Sequence, residues 1–427
     1  MDLLTPYLER LAADGNFSGV ILAAEGDRQW LRSYGWADAA SGRAMANDTP
    51  LRIGSLSKSF TAALVLRLVD DGLLALDQPL QPLQPLLPQF KLPDALTASH
   101  LLRHRSGLGN HTALPDYWPT RMQQYWTPDQ LINDILAHPP LFAPGEGCAY
   151  SNTAYALLAR LLEILRGKPF AVLLRQMLAS AGLSGILDEV EAPATDGARG
   201  YWLATEWQEA PPLDMSNGFG AFSLSANAPG LLRWWQTLRD GDLLSPHSRE
   251  WMFATENGED GFAAGWYREH APDGPVFSHL GDINGFVSVL LAQPAKNRCV
   301  IALSNLAQTD AWALAETVCQ LLDGNPVDTG PAATGFATLP DWLDGRYLAD
   351  DGDEILIQNG VATLTRRYGA RCDCAVIASR SEPEHCEARL ERLPERLIFS
   401  HQAAGTRLTH ISGLKRHEYR KISNSSR

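Results

Sequence analysis

The chain has 427 residues, of which 36 are Lys or Arg and 49 are Asp or Glu, giving a formal net charge of −13, with 45% apolar and 20% charged residues. This is the composition of a folded globular protein and not of a disordered one. The acidic balance argues against nucleic-acid and anionic-membrane binding, which need a basic surface to neutralise phosphate, and no apolar run approaches a membrane span. The length suggests one large domain and a smaller one.

The N-terminal "MDLLTPYLERLAADG" carries Asp2 where a secretory leader would carry Lys or Arg, and its apolar residues have the spacing of one amphipathic helix. No export is expected, and a cytoplasmic location is the default. The six cysteines are scattered without a CxxC pair and read as free thiols of a reducing compartment. Cys372, Cys374, His385 and Cys386 are close in sequence, but their spacing fits no common zinc pattern. Neither a metal nor a cofactor is expected.

"GVILAAEGDRQWLRSYGWAD" reads as two strands around a Glu25-Gly26-Asp27 turn. From Ser55 to about Leu187, apolar residues recur at three- and four-residue spacing, as in "FTAALVLRLVDDGLL" and "NTAYALLARLLEILRG", which predicts helices. Strand character returns between about Pro275 and Ser304, with a turn at Ala295-Lys296-Asn297, and "AWALAETVCQLLDG" follows as a helix. The expected fold is therefore α/β (α+β): an antiparallel sheet built from both ends of a domain spanning 1–324, carrying a helical insertion. A Pro/Gly/Thr/Ala-rich linker is expected at 325–340. The remainder, 341–427, has an Asn359-Gly360 hairpin turn and further strand-like runs at "RLIFSHQ" and "RLTHISG", the pattern of a small antiparallel barrel or sandwich.

Three short patterns carry chemistry. Ser55 and Lys58 in "RIGSLSKSF" are three apart at the start of a helical segment, hence on one face. A serine hydroxyl needs a base, and a lysine can be one only if burial or positive charge lowers its pKa from about 10.4. Such a pair is common, since Ser412 and Lys415 repeat it, and a serine at a helix start is also a natural cap. Tyr150 and Asn152 form the chain's one YxN, just before another helix. They could relay a proton and orient the lysine, or merely pack and cap. His279-Leu280-Gly281 is the one HxG. His279 could donate a hydrogen bond into a cleft and Gly281 could admit a substrate backbone; a satisfied strand histidine is the plain alternative.

Taken in this order, with "LLRHRSGLGNH", "APGEGCAYSN" and "GFGAFSLSANAPGLLRWW" beside them, the patterns resemble those of the serine β-lactamase and penicillin-binding protein superfamily over roughly residues 3 to 323. The likeness is to its class C-like branch of esterases, D-aminopeptidases and related peptidases. It implies Ser55 as acylated nucleophile, Lys58 as base, Tyr150 as proton shuttle and Asn152 as orienting amide, with the backbone N–H groups of Ser55 and Asp282 as oxyanion hole. Members that act on penicillins usually place a lysine where His279 stands, so the resemblance implies small amide or short-peptide substrates, D-residues included, before antibiotics. A carboxylesterase or peptide-cyclising thioesterase is the alternative within the superfamily, and a catalytically silent binding protein is the alternative outside it. "WLDGRYLADDGDEILIQNG" resembles the opening of the lipocalin-like barrel appended to some of these peptidases. A carboxylate of Asp350, Asp351, Asp353 or Glu354 could meet a substrate amine or simply lie in solvent. Self-association is left open.

Overall fold

The computed structural model describes residues 4–13, 17–203, 207–325, 339–350, 353–365, 371–390, 395–403, 405–412 and 415–422. Apart from Asn325, Leu339 and Pro340, the expected linker lies outside them.

Seven strands form one antiparallel sheet: β1 (Gly19–Glu25), β2 (Arg28–Tyr34), β3 (Gly261–Ala263), β4 (Trp266–Glu269), β5 (Val276–Ile283), β6 (Phe286–Gln293) and β7 (Arg298–Ser304), in the order β3-β4-β5-β6-β7-β1-β2. β1 thus lies between β2 and β7, with Leu22 opposite both Leu31 and Ile301. The sheet is assembled from segments at both ends of the region 19–304, as expected. The short outer pair β3 and β4 carries too few alternating apolar residues to stand out in the sequence.

Side chains alternate across the sheet, and its central strands β1, β6 and β7 are buried on both faces. Ile21, Ala23, Val289, Leu291, Val300 and Ala302 pack with α1 (Leu4–Ala13) and with α6 (Ala311–Leu322). Val20, Leu22, Leu290, Ile301 and Leu303 face the helical insertion, whose main helices are α2 (Ser57–Asp70), α3 (Asn152–Arg166), α4 (Phe170–Ser180) and α5 (Ala228–Asp240). α2 is the most enclosed: Phe60, Ala62, Ala63, Val65, Leu66 and Leu68 are all fully buried. Phe60 stacks on Trp234 of α5 at 4.1 Å, and Trp234 Nε1 donates to Ser59 Oγ at 2.9 Å. α2 is therefore held rigidly, and with it the turn that precedes it.

The C-terminal strands form a closed eight-stranded antiparallel barrel in sequence order, from Gly345–Ala349 to Lys415–Ile422, with first and last paired. Its interior is filled by Tyr347, Ile355, Ile357, Leu364, Leu397, Phe399, Leu408 and Tyr419. The Asn359-Gly360 turn has φ of 52° and 76° at its two central residues, the left-handed pair that a two-residue hairpin requires. Of the acidic loop, Asp351 lies outside the described residues, while Glu354 is paired with Arg346. Cys386 is buried in the barrel core, and its neighbour His385, on the opposite strand face, bonds Glu387 at 3.2 Å. Adjacent strand residues facing opposite ways do not converge on one ion.

One charged side chain ties β1 and β7 to the end of α6. Arg298 of β7 is 3% exposed. It reaches Glu25 at 3.0 Å and Asp323 at 2.9 Å, and donates to Cys319 O at 3.2 Å. Replacing it by methionine removes this donor from Glu25 and the Cys319 carbonyl and leaves Asp323 with Lys296. Arg298→Met is expected to lower unfolding stability by about 1–3 kcal/mol, below the full effect of breaking a buried pair because the carboxylates are partly solvated. Urea unfolding of the two proteins measures this, and an unchanged midpoint would remove the argument.

Candidate active site

Ser55 lies inside a single 3-10 turn, Gly54–Leu56, that leads directly into α2. Neither element has a side-chain cap, so Ser55 is not a capping residue. Its hydroxyl instead meets Lys58 Nζ at 3.0 Å.

Lys58 is 0% exposed. Besides Ser55, its Nζ bonds Asn152 Oδ1 at 2.6 Å and the Ala221 carbonyl at 2.9 Å. The orientation of the Asn152 amide follows from its other end: Nδ2 donates to Thr112 Oγ1 at 2.9 Å, and that hydroxyl donates on to Asn110 Oδ1 at 3.1 Å. Asn152 therefore presents an oxygen to the lysine. Burial pushes the Lys58 pKa well below the ordinary lysine value. A neutral amine here directs its two N–H groups at two oxygens that can only accept, those of Asn152 and Ala221. Its lone pair is left for the hydroxyl of Ser55.

Tyr150 and Asn152 converge on the same atom. The Tyr150 ring centroid is 4.8 Å from Lys58 Nζ, and Tyr155 flanks it at 5.5 Å. Ser151, between them, points away and caps α3: its hydroxyl accepts from Ala154 N at 3.1 Å and donates to Gly109 O at 2.8 Å. The capping role thus falls to Ser151 and leaves Asn152 free for the lysine.

The turn and β5 touch without intervening side chains. Gly54 has φ 51°, and a Cβ there would fall 2.8 Å from Asp282 N; a Cβ on Gly281 would fall 1.9 Å from Ile53 O. Ser288 Oγ adds a hydrogen bond to Ile53 O at 2.9 Å. Gly281 therefore admits the protein's own backbone at the position a Cβ would take. The contact sets the amide of Asp282 beside the turn that carries Ser55.

His279, 6% exposed, stands with its ring 6.4 Å from that of Tyr150. Its Nδ1 donates to Leu280 O at 2.6 Å, so the neutral ring keeps a lone pair on Nε2. That nitrogen is an acceptor. Burial and the neighbouring Lys58 lower its pKa to about 3.

His104 belongs to the site and was not singled out from the sequence, although it stands in the segment containing Ser106-Gly107-Leu108. Its ring packs against that of Tyr150, tilted by 32°, with centroids 4.3 Å apart. Its Nδ1 accepts from Ser151 N at 3.1 Å and its carbonyl from Ala149 N at 2.9 Å, so both neighbours of Tyr150 are fastened to one residue. His104 adopts φ 58°, in the left-handed region. Its pKa lies well below the ordinary value, mainly through burial and also through Lys58 and His279. Asn110, Thr112 and the Ala221 carbonyl were likewise missed; backbone acceptors and support at one remove leave no pattern in a single sequence.

Among the described residues no cluster of three His, Cys, Asp or Glu side chains could hold a metal ion. No helix among them is long and apolar enough to cross a membrane.

A profile of the family described as Beta-lactamase matches residues 4–318. Penicillin-binding protein 4* of Bacillus subtilis is 26% identical over 397 residues, covering 84% of this chain and 84% of its own. The octameric penicillin-binding protein homologue of Pyrococcus abyssi superposes with a TM-score of 0.68 at 22% identity, covering 99% of this chain and 100% of that one. D-amino acid amidase of Ochrobactrum anthropi, in complex with L-phenylalanine amide, does so with a TM-score of 0.64 at 23% identity, covering 76% and 98%.

Two outcomes follow from this geometry. Gly281→Ala forces the turn and β5 apart, and denaturant unfolding should show a loss on the order of 1–3 kcal/mol, as for other overpacked sites. The second outcome concerns His279 and His111, which is buried and lowered to about 4. Both bind fewer protons folded than unfolded once pH drops below the unfolded value near 6.5, so stability present above that pH is lost as it falls toward 4. Between pH 7 and 5 each contributes a loss of about 2 kcal/mol. His111→Gln should flatten the pH dependence of the unfolding midpoint; an equally steep dependence would contradict this assignment.

Proposed function

Because the chain belongs to the β-lactamase family, whose profile spans most of its length, we propose that it is a serine hydrolase acting through an acyl-enzyme on Ser55. The observation that carries this is the buried Lys58, with two acceptors for its own protons and the Ser55 hydroxyl 3.0 Å away. Lys58 Nζ takes the Ser55 proton as Oγ attacks the substrate carbonyl. The resulting oxyanion is held by the Ser55 and Asp282 amides. Tyr150, ordered by His104, passes the proton from Lys58 to the leaving group as the acyl bond to it breaks, and then assists water in attacking the acyl-enzyme.

The substrates are small amides or short peptides. The relatives named above as penicillin-binding proteins and a D-amino acid amidase support this class, and the amidase supports including D-residues. An ester would acylate the same serine, which keeps carboxylester hydrolysis as the second reading. The octameric Pyrococcus abyssi homologue makes self-association part of the proposal, readable by sedimentation.

Wild-type protein treated with a fluorophosphonate should carry one adduct, on Ser55, by mass spectrometry; folded protein with no adduct there would falsify the acyl-enzyme reading. Lys58→Met should reduce kcat/KM by roughly a thousandfold or more. Lys58→Arg should do the same, since guanidinium stays charged. The acid limb of the wild-type rate profile should lie well below the pH at which an exposed lysine titrates, because only the neutral amine accepts the serine proton.

A further inference from the structure

A neutral Lys58 amine has two N–H donors and one lone pair, and two arrangements of its contacts satisfy all three. In the first, the N–H groups go to Asn152 Oδ1 and the Ala221 carbonyl, and the lone pair faces the Ser55 hydroxyl. In the second, the Asn152 amide is turned end for end, so that its NH2 group donates to the lone pair and the amine spends its own N–H groups on Ala221 O and Ser55 Oγ. Nothing is left unpaired, but the serine now accepts where it must donate. The base is present and faces the wrong way.

Lys58 and its immediate neighbours do not choose between these arrangements. The choice is made on the far side of the Asn152 amide, in the segment 110–112. Asn110 Oδ1 lies 3.4 Å from Thr112 N and 3.2 Å from Asn152 N. A backbone N–H can only donate, so the atom that both of them meet is the amide oxygen of Asn110 and not its nitrogen. Thr112 Oγ1, 3.1 Å from the same oxygen, must therefore donate its one proton to it. Only its lone pairs remain, and these accept from Asn152 Nδ2 at 2.9 Å. Polarity thus passes from two backbone N–H groups, which cannot be reversed, through Asn110, Thr112 and Asn152 to the amine.

The relay is also held in place. His111 N donates to Thr153 Oγ1 at 3.1 Å, while the His111 ring meets the same hydroxyl at 3.0 Å and the Asn217 carbonyl at 3.1 Å. The segment is therefore fastened to the start of α3 at residue 152 and again at residue 153.

We propose that Asn110 and Thr112 are positioning residues for the base: together they fix the direction of the Asn152 amide and so reserve the Lys58 lone pair for Ser55. The inference rests on the acyl-enzyme reading, and its test separates the two.

The readout is the second-order rate at which a fluorophosphonate labels Ser55, followed by mass spectrometry, which depends on serine activation and on no particular substrate. Thr112→Val keeps the shape of the side chain and removes the hydroxyl; position 112 is partly exposed, so the fold tolerates it. With the relay cut, the two arrangements lose their difference, and labelling should slow by about 2- to 10-fold, the scale of one net hydrogen bond. Thr112→Ser retains the hydroxyl and should label at the wild-type rate. In an Asn152→Leu background there is no amide to turn, so adding Thr112→Val should slow labelling no further, whereas a general loosening of the segment would slow it in either background. Wild-type speed in Thr112→Val, slowing in Thr112→Ser to match it, or an equal effect of Thr112→Val in the Asn152→Leu background overturns the relay and leaves the acyl-enzyme reading standing. Absence of labelling in folded wild-type protein overturns both.

Discussion

Everything at this site depends on placing one lysine out of water. A buried ammonium is costly, and the protein offsets that cost by lowering the pKa and by giving the nitrogen three oxygen neighbours at 2.6 to 3.0 Å. Each neighbour arrives from a different part of the chain: Ser55 from the turn before α2, Asn152 from the start of α3, Ala221 from the loop before α5. The helical insertion can be understood as the scaffold that brings these three together. Its dense packing around α2 keeps solvent from rehydrating the amine.

The same demand explains the backbone at the site. For an amide of β5 to share a reacting atom with Ser55, strand and turn must approach with no side chains between them. Gly54 and Gly281 meet that requirement from opposite sides, and Ser288 fastens the junction through Ile53. A glycine pair between two rigid elements is therefore a distance constraint and not a source of flexibility. His104 does the equivalent work for Tyr150, since it holds residues 149 and 151 and packs against the ring between them.

The fold was legible where one physical pattern dominated. Alternating strands from both chain ends, the helical periodicity of α2 and α3, and the Asn359-Gly360 turn all stand in the sequence, because each is a local repeat or a local steric demand. The short strands β3 and β4 were not, since three or four residues carry no period. At the site, Ser55, Lys58, Tyr150 and Asn152 were found by their company, and the structure places them around one nitrogen. Orientation was not legible: the backbone that Gly281 meets and the ring nitrogen that His279 leaves open depend on a strand's packing partner and on a tautomer, and neither is encoded in residue order. His104 escaped notice because its contribution depends on a left-handed backbone conformation that a non-glycine residue rarely adopts.

The polarity of His279 bears on what the cleft accepts. With Nδ1 committed to Leu280 O and burial lowering its pKa to about 3, the ring is held in its neutral form. A cation at this point would attract a substrate carboxylate and would also raise the cost of protonating Lys58. A neutral ring avoids the second effect and gives up the first, so carboxylate recognition is lost at the very position that keeps the base poised. In the proposed reading, discrimination against a substrate carboxylate at this strand follows from the same need to keep charge away from a buried amine.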